Sequence, residues 1–189
     1  MQNFIKIVET LICLQSIFIS TMIPIFIEIP YKDNLIITLD SPITLQLPTI
    51  ILISLFFKRN IVFYAYTIYL FIGLFALPIF HQGGSLGYML TPNFGYLLGM
   101  YPLIKIINDV SVIRRFRLIV FLKRATIAVL WMHLTGIIYS LIHSIFFKQF
   151  DLFLYNIGNY SLGKIGYHLF LLIPLAFLIK PFESLITKK

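Results

Sequence analysis

The sequence predicts an all-α fold: one integral membrane bundle of six transmembrane helices over residues 1–189, with both termini on the cytoplasmic side. Three observations carry that prediction. Hydrophobic residues make up 59% of the chain and charged residues only 12%, and the mean hydropathy of +0.94 lies well outside the range of water-soluble domains. The apolar residues fall in long runs separated by short polar stretches, the pattern of successive membrane spans. Basic residues are dense in alternate polar stretches and sparse in the others.

A span needs about 20 apolar residues, or fewer where the helix is broken or enclosed by protein. On that measure the spans are Phe4–Ile29, Ile43–Phe57, Ile61–Phe80, Pro92–Ile107, Ala125–Phe147 and Lys164–Ile186. The first lacks a small-x-small cleavage site and more apolar runs follow it, so it reads as a retained helix rather than a signal peptide. Within it Ser16 and Ser20 stand four apart, one turn beyond Cys13. Small residues at that spacing admit a close helix neighbour, either from this bundle or from a partner protein. Pro42 and Pro48 bracket the opening of the second span, where a missing N–H costs little. Pro92 plays the same part for the fourth, with Thr91 as its N-cap. The fifth carries Trp131 near its inner end as an interface anchor, and His133 and His143 as neutral imidazoles bonded inside the bundle. Cys13 is the one cysteine, which excludes a disulfide framework or a Cys/His zinc pattern and leaves it a packing role. No metal and no cofactor are expected.

Charge asymmetry sets the orientation. Lys58, Arg59, Arg114, Arg115, Arg117, Lys123, Arg124, Lys188 and Lys189 lie in the stretches assigned to the inside. The outer stretches hold Lys32 and Lys148, accompanied by Asp33, Asp40 and Asp151. This is the positive-inside pattern. The net charge of +8 does not indicate a nucleic-acid partner, because the basic residues sit between apolar runs instead of along one polar face. The basic stretch also allows an interfacial helix, Val110–Lys123, against anionic lipid or a cytoplasmic partner.

The outward segments Pro30–Pro42 and His81–Thr91 carry the polar and aromatic material. Lipid cannot hydrogen-bond irregular backbone, so a glycine-rich hinge between two apolar runs shapes a cavity. Beside it, Asn93 with Tyr88 and Tyr96 places an amide next to phenol rings, which suits a flat heterocycle with donor and acceptor edges. Tyr101 is assigned to the interfacial aromatic belt. Thr44 and Gln46 either bond a solute or tie helices together, and spacing does not choose between them. Gly84 permits close backbone approach to a solute. Gly83-Gly84-Ser85-Leu86-Gly87 matches a serine-hydrolase pattern, but the elbow and the acid that chemistry requires are missing nearby. An intramembrane hydrolase using Ser85 is therefore kept only as a minor alternative.

Three stretches together resemble the BioY family: Ser41-Pro-Ile-Thr-Leu-Gln46, Gly73-Leu-Phe-Ala-Leu-Pro78, and Gln82 through Gly99. The family comprises biotin-binding S components of energy-coupling factor (ECF) transporters, and the close resemblance runs from about Asp40 to Tyr101. Thr91-Pro-Asn-Phe-Gly-Tyr96 is similar to the variant of cyanobacterial and plastid members. The resemblance implies a six-span fold and capture of biotin from the outer face, without chemistry on it. A carrier of another vitamin-like solute on the same scaffold is the alternative. It also implies partners, an ECF T component and ATPase subunits, and a home in a bacterial inner membrane or a plastid membrane. The chain itself has no P-loop pattern to hydrolyse ATP. Expected solute contacts are Thr44, Gln46, Gly84, Tyr88, Asn93 and Tyr96, with Lys164 or His168 neutralising a carboxylate. Ser16 and Ser20 are the expected contacts to the T component. Typical members open span six with Pro-Gly-Asp-x-x-Lys; from Leu162 to Leu169 this chain offers Lys164, Tyr167 and His168 instead.

Overall fold

The computed structural model describes residues 1–31, 35–80, 83–111, 117–182 and 186. Helix α1 covers Gln2–Met22, and strands β1 (Pro24–Tyr31) and β2 (Leu35–Thr44) follow as an antiparallel hairpin. Then come α2 (Gln46–Phe56), α3 (Arg59–Phe75), a 3₁₀ turn at Leu86–Leu90, α4 (Phe94–Leu98) and α5 (Met100–Ser111). The chain closes with α6 (Leu118–Phe147), α7 (Phe150–Ile157), a π-helical stretch at Gly158–Leu162, and α8 (Gly163–Ile179). With α4–α5 and α7–α8 each counted as one segment, six helical segments appear in the predicted order. Among the described residues, α1, α6 and the Phe150–Phe182 segment are long and apolar enough to cross a membrane.

The hairpin corrects the prediction of a first span running to Ile29. Its segments are rich in isoleucine and threonine, which suit extended backbone, and Pro24, Pro30 and Pro42 are poor helix residues. Pairing runs from Tyr31 with Leu35 to Ile27 with Leu39, then resumes at Ile25 with Ile43. The register break brackets Pro42, which has no N–H to give the ladder. Pro42 therefore belongs to a strand and only Pro48 lies in the first turn of α2.

Other boundaries also move. The predicted interfacial helix Val110–Lys123 is not a separate element: Val110 and Ser111 end α5, residues 112–116 lie outside the described residues, and Leu118–Lys123 open α6. That earlier start puts Trp131 midway along α6 rather than near one end. Thr91 does not cap the fourth segment, because its hydroxyl donates to the Tyr88 carbonyl and Asn93 holds the N-cap position. The last segment begins at Phe150, so the predicted outer loop around Asp151 is helical.

The core lies where α1, α2, α3, α5, α6 and α8 meet, around fully buried Ile17, Ile50, Tyr66, Ile104, Phe121 and Ile179. Cys13 and Ser20 share the inward stripe of α1 with Ile17 and Thr21. At one end of the bundle Arg59 pairs with Asp109, and Asn108 donates to the carbonyls of Ser54 and Phe57. At the other end the segment after α3 is clamped on α6, Tyr139 donating to the Met89 carbonyl and the His143 ring bonding that of Leu90 at 2.7 Å. The hairpin joins this second end through the 3.0 Å bond from the Leu45 N–H to the Ile23 carbonyl.

Candidate solute-binding site

A cavity opens at the hairpin end. Its apolar lining is Ile43, Leu47, Leu97, Met100 and Met132, and its polar and aromatic lining is Thr44, Gln46, Tyr88, Asn93, Tyr96, Tyr160, Lys164 and His168. Its volume of about 120 Å³ is roughly ten times what one water needs, so it accommodates a small organic molecule. Apolar walls with a few convergent polar groups are the usual build of a small-molecule site.

Each polar group is held by its own local structure. Gln46 sits at the first position of α2, and its N–H approaches Thr44 Oγ1 at 3.4 Å. Its Nε2 donates to Tyr69 Oη at 3.2 Å, and that same oxygen lies 3.2 Å from Thr21 Oγ1. Gln46 thus ties α2 to α3 and, through Tyr69, to α1, and it also lines the cavity. Tyr88 and Asn93 meet at the mouth. Burial is the main cause that pushes the Tyr88 phenol up to about 12; the nearby Tyr160 adds to the shift, while a hydrogen bond from Asn93 opposes it. Tyr88 is therefore a neutral hydrogen-bonding group at any physiological pH.

Tyr96 projects from α4 onto α6. A Cβ on Gly136 would lie 2.4 Å from the Tyr96 ring, so only glycine lets that ring lie flat against α6. Tyr96 Oη meets Ser161 Oγ at 2.7 Å. Ser161 Oγ in turn lies 3.2 Å from His133 Nδ1, and His133 Nε2 lies 3.0 Å from His168 Nδ1. The π-helical stretch before α8 places Tyr160 and Lys164 at the cavity, with Ser161 behind it; such stretches concentrate at functional sites. Lys164 Nζ lies 5.2 Å from the centre of the Tyr160 ring, a cation–π distance.

Of the residues singled out by the sequence, Thr44, Gln46, Tyr88, Asn93, Tyr96, Lys164 and His168 come together at this cavity. Gly84 does not line it. A Cβ there would meet the Gly73 carbonyl oxygen at 2.6 Å and the Pro78 backbone at 2.7 Å, so this glycine serves the packing of the hinge on α3. Ser20 is buried inside the bundle, and Ser16 lies nearer the surface of α1. Tyr101 packs on Phe63 and Tyr66 and bonds Thr67 at 2.9 Å. Ser85 is exposed, while His133 and His143 are engaged elsewhere, so no hydrolase constellation forms among the described residues. His81 and Gln82 lie outside the described residues.

Sequence reasoning missed Tyr160, Ser161 and the cavity-side methionines. One signal was available: Ser161 precedes Lys164 by three residues, the interval of Asp-x-x-Lys, with serine in place of the acid.

Comparison with known proteins gives a consistent picture. The BioY family profile matches residues 5–172. Over 58 residues the sequence is 41% identical to a probable biotin transporter BioY of Lysinibacillus sphaericus, a match that covers 31% of this chain and 30% of that protein. The match thus spans under a third of the relative's length. The fold resembles the crystal structure of the S-component for biotin from an ECF-type ABC transporter, with a TM-score of 0.64 over 95% of this chain and 93% of that one. At 17% identity that likeness is one of fold.

Proposed function

The chain belongs to the BioY family, and from that premise we propose that it is a membrane substrate-capture component that binds biotin from the outer face and passes it inward. The observation that carries this reading is the convergence of Thr44, Gln46, Tyr88, Asn93, Tyr96, Lys164 and His168 on one cavity at the hairpin end of the bundle. Amide, phenol and imidazole groups suit a ureido ring, which offers N–H donors and a carbonyl acceptor. Lys164 suits the carboxylate of the side chain, and Leu97, Met100 and Met132 suit its methylenes. The reading includes no chemistry on the solute.

The positive-inside arrangement puts the Arg59–Asp109 end in the cytoplasm and the cavity outside. ECF module partners, a T component and ATPase subunits, then supply the energy, with the face of α1 that carries Ser16 as the contact. The membrane is a bacterial inner membrane or a plastid membrane. Ser161 in place of an acid favours a second reading, another vitamin-like solute on the same scaffold.

Calorimetry on the purified protein in detergent tests the reading, with biotin as ligand and desthiobiotin and thiamine as comparators. Saturable biotin binding with no response to thiamine supports it. Thiamine binding without biotin binding would move the assignment to the second reading.

A further inference from the structure

Behind the cavity wall, four side chains from three helical segments form a single chain of hydrogen bonds: Tyr96, Ser161, His133 and His168. Its two end members, Tyr96 and His168, line the cavity, while His133 and Ser161 are about 2% exposed and do not. Among the described residues, Ser161 Oγ has only Tyr96 and His133 as partners. A neutral imidazole has one N–H and one lone-pair nitrogen, and a hydroxyl has a single proton. With both rings neutral, two proton arrangements satisfy all three contacts and also give the buried Ser161 proton an acceptor; a third, in which Ser161 accepts from both His133 and Tyr96, leaves that proton unmatched, which burial penalises. In the first, both histidines carry the proton on Nε2. His133 then donates to His168, Ser161 donates to His133, and Tyr96 donates to Ser161. The cavity sees an acceptor at Tyr96 Oη and a donor at His168 Nε2. In the second, both carry it on Nδ1, every bond reverses, and the cavity sees a donor at Tyr96 and an acceptor at His168.

We propose that these four residues form a polarity relay that makes the hydrogen-bonding character of Tyr96 and His168 interdependent, so that the site selects a solute presenting a donor to one and an acceptor to the other. His133 and Ser161 are positioning residues in this scheme and touch no solute. The selected class is a small molecule with an N–H and an oxygen acceptor on one polar edge; the proposal rests on the biotin reading only for the probe used to test it. A site of this kind rejects an analogue that lacks one partner, because a buried polar group is then left unmatched.

The first test is ¹⁵N NMR of the protein labelled at histidine, in detergent, with signals assigned through His81→Gln and His143→Gln variants. Imidazole nitrogen shifts distinguish the Nδ1–H form from the Nε2–H form. The relay predicts matching forms for His133 and His168 in the solute-free protein and a shift toward one arrangement on addition of biotin. One ring in each form would overturn it. The second test is Ser161→Ala, which cuts the chain between Tyr96 and His133. The ratio of affinities for biotin and for biotin methylated on a ureido nitrogen should narrow by about tenfold. Both affinities falling together with the ratio unchanged would indicate packing alone and overturn the proposal. If biotin does not bind, the solute assignment fails by itself, and the tautomer match in the solute-free protein still decides the relay.

Discussion

The Tyr96 ring rests on Gly136, with no room between them for a single methyl group. That contact joins α4 to α6 and fixes the direction in which the Tyr96 hydroxyl points. Gly136→Ala should therefore displace the ring rather than merely tighten the packing. The expected cost is about 1–3 kcal/mol of stability, with biotin affinity reduced more than tenfold. Thermal unfolding and calorimetry on the same preparation read both.

Among the described residues that line the cavity, Lys164 is the one lysine or arginine and none is a carboxylate. Charge-assisted hydrogen bonds are worth about 1.5–3 kcal/mol, so Lys164→Met should weaken biotin binding by about 10- to 100-fold. Biotinamide, which has no carboxylate, should lose less than threefold. Competition binding against labelled biotin measures the two losses side by side.

Tyr88 keeps its proton up to about pH 12, against an ordinary value of 10.0. Between those limits the unfolded chain has given up a proton that the folded chain retains, so stability falls as pH rises through that window. Below pH 10 Tyr88 contributes no such loss. Unfolding followed from pH 8 to 12 should show the decline above pH 10 in the wild type and a smaller one in Tyr88→Phe.

The far end of the bundle separates buried from exposed polar contacts. Asn108 is 6% exposed and donates to two carbonyls, at 2.8 and 3.1 Å. Arg59 and Asp109 are about 40% exposed. Asn108→Leu should cost about 1–3 kcal/mol, and Arg59→Met about 0–1 kcal/mol. Denaturation in detergent checks the ranking, and biotin affinity should change less than twofold in Arg59→Met.

Much of this architecture was legible because a membrane forces polar groups to declare themselves. Gln46, Asn93, Tyr88 and Tyr96 stood out as polar or amphipathic groups at the membrane boundary and Lys164 against the family motif, and the fold gathers these five at one cavity. The hairpin was not legible as such. A short apolar run leaves helix and strand open by periodicity, and the signals for extended chain were its isoleucine and threonine content and the prolines at 24, 30 and 42. Gly84 was read as approaching a solute, while the fold sets it against the Gly73 and Pro78 backbone, because the same residue type serves both kinds of close approach. Ser161 and His133 lie 28 residues apart and join only when α6 meets the last segment, a relationship that spacing within one helix cannot reveal.

Biotin capture at this cavity is tested most simply by how accessible the cavity is when biotin is present. Thr44→Cys in a Cys13→Ser background reports on it through its rate of alkylation by a water-soluble maleimide. Gln149→Cys in the same background, at the exposed start of the last helical segment, serves as the control. Biotin should slow alkylation at position 44 at least tenfold and leave position 149 unchanged. Equal rates at position 44 with and without saturating biotin would contradict it.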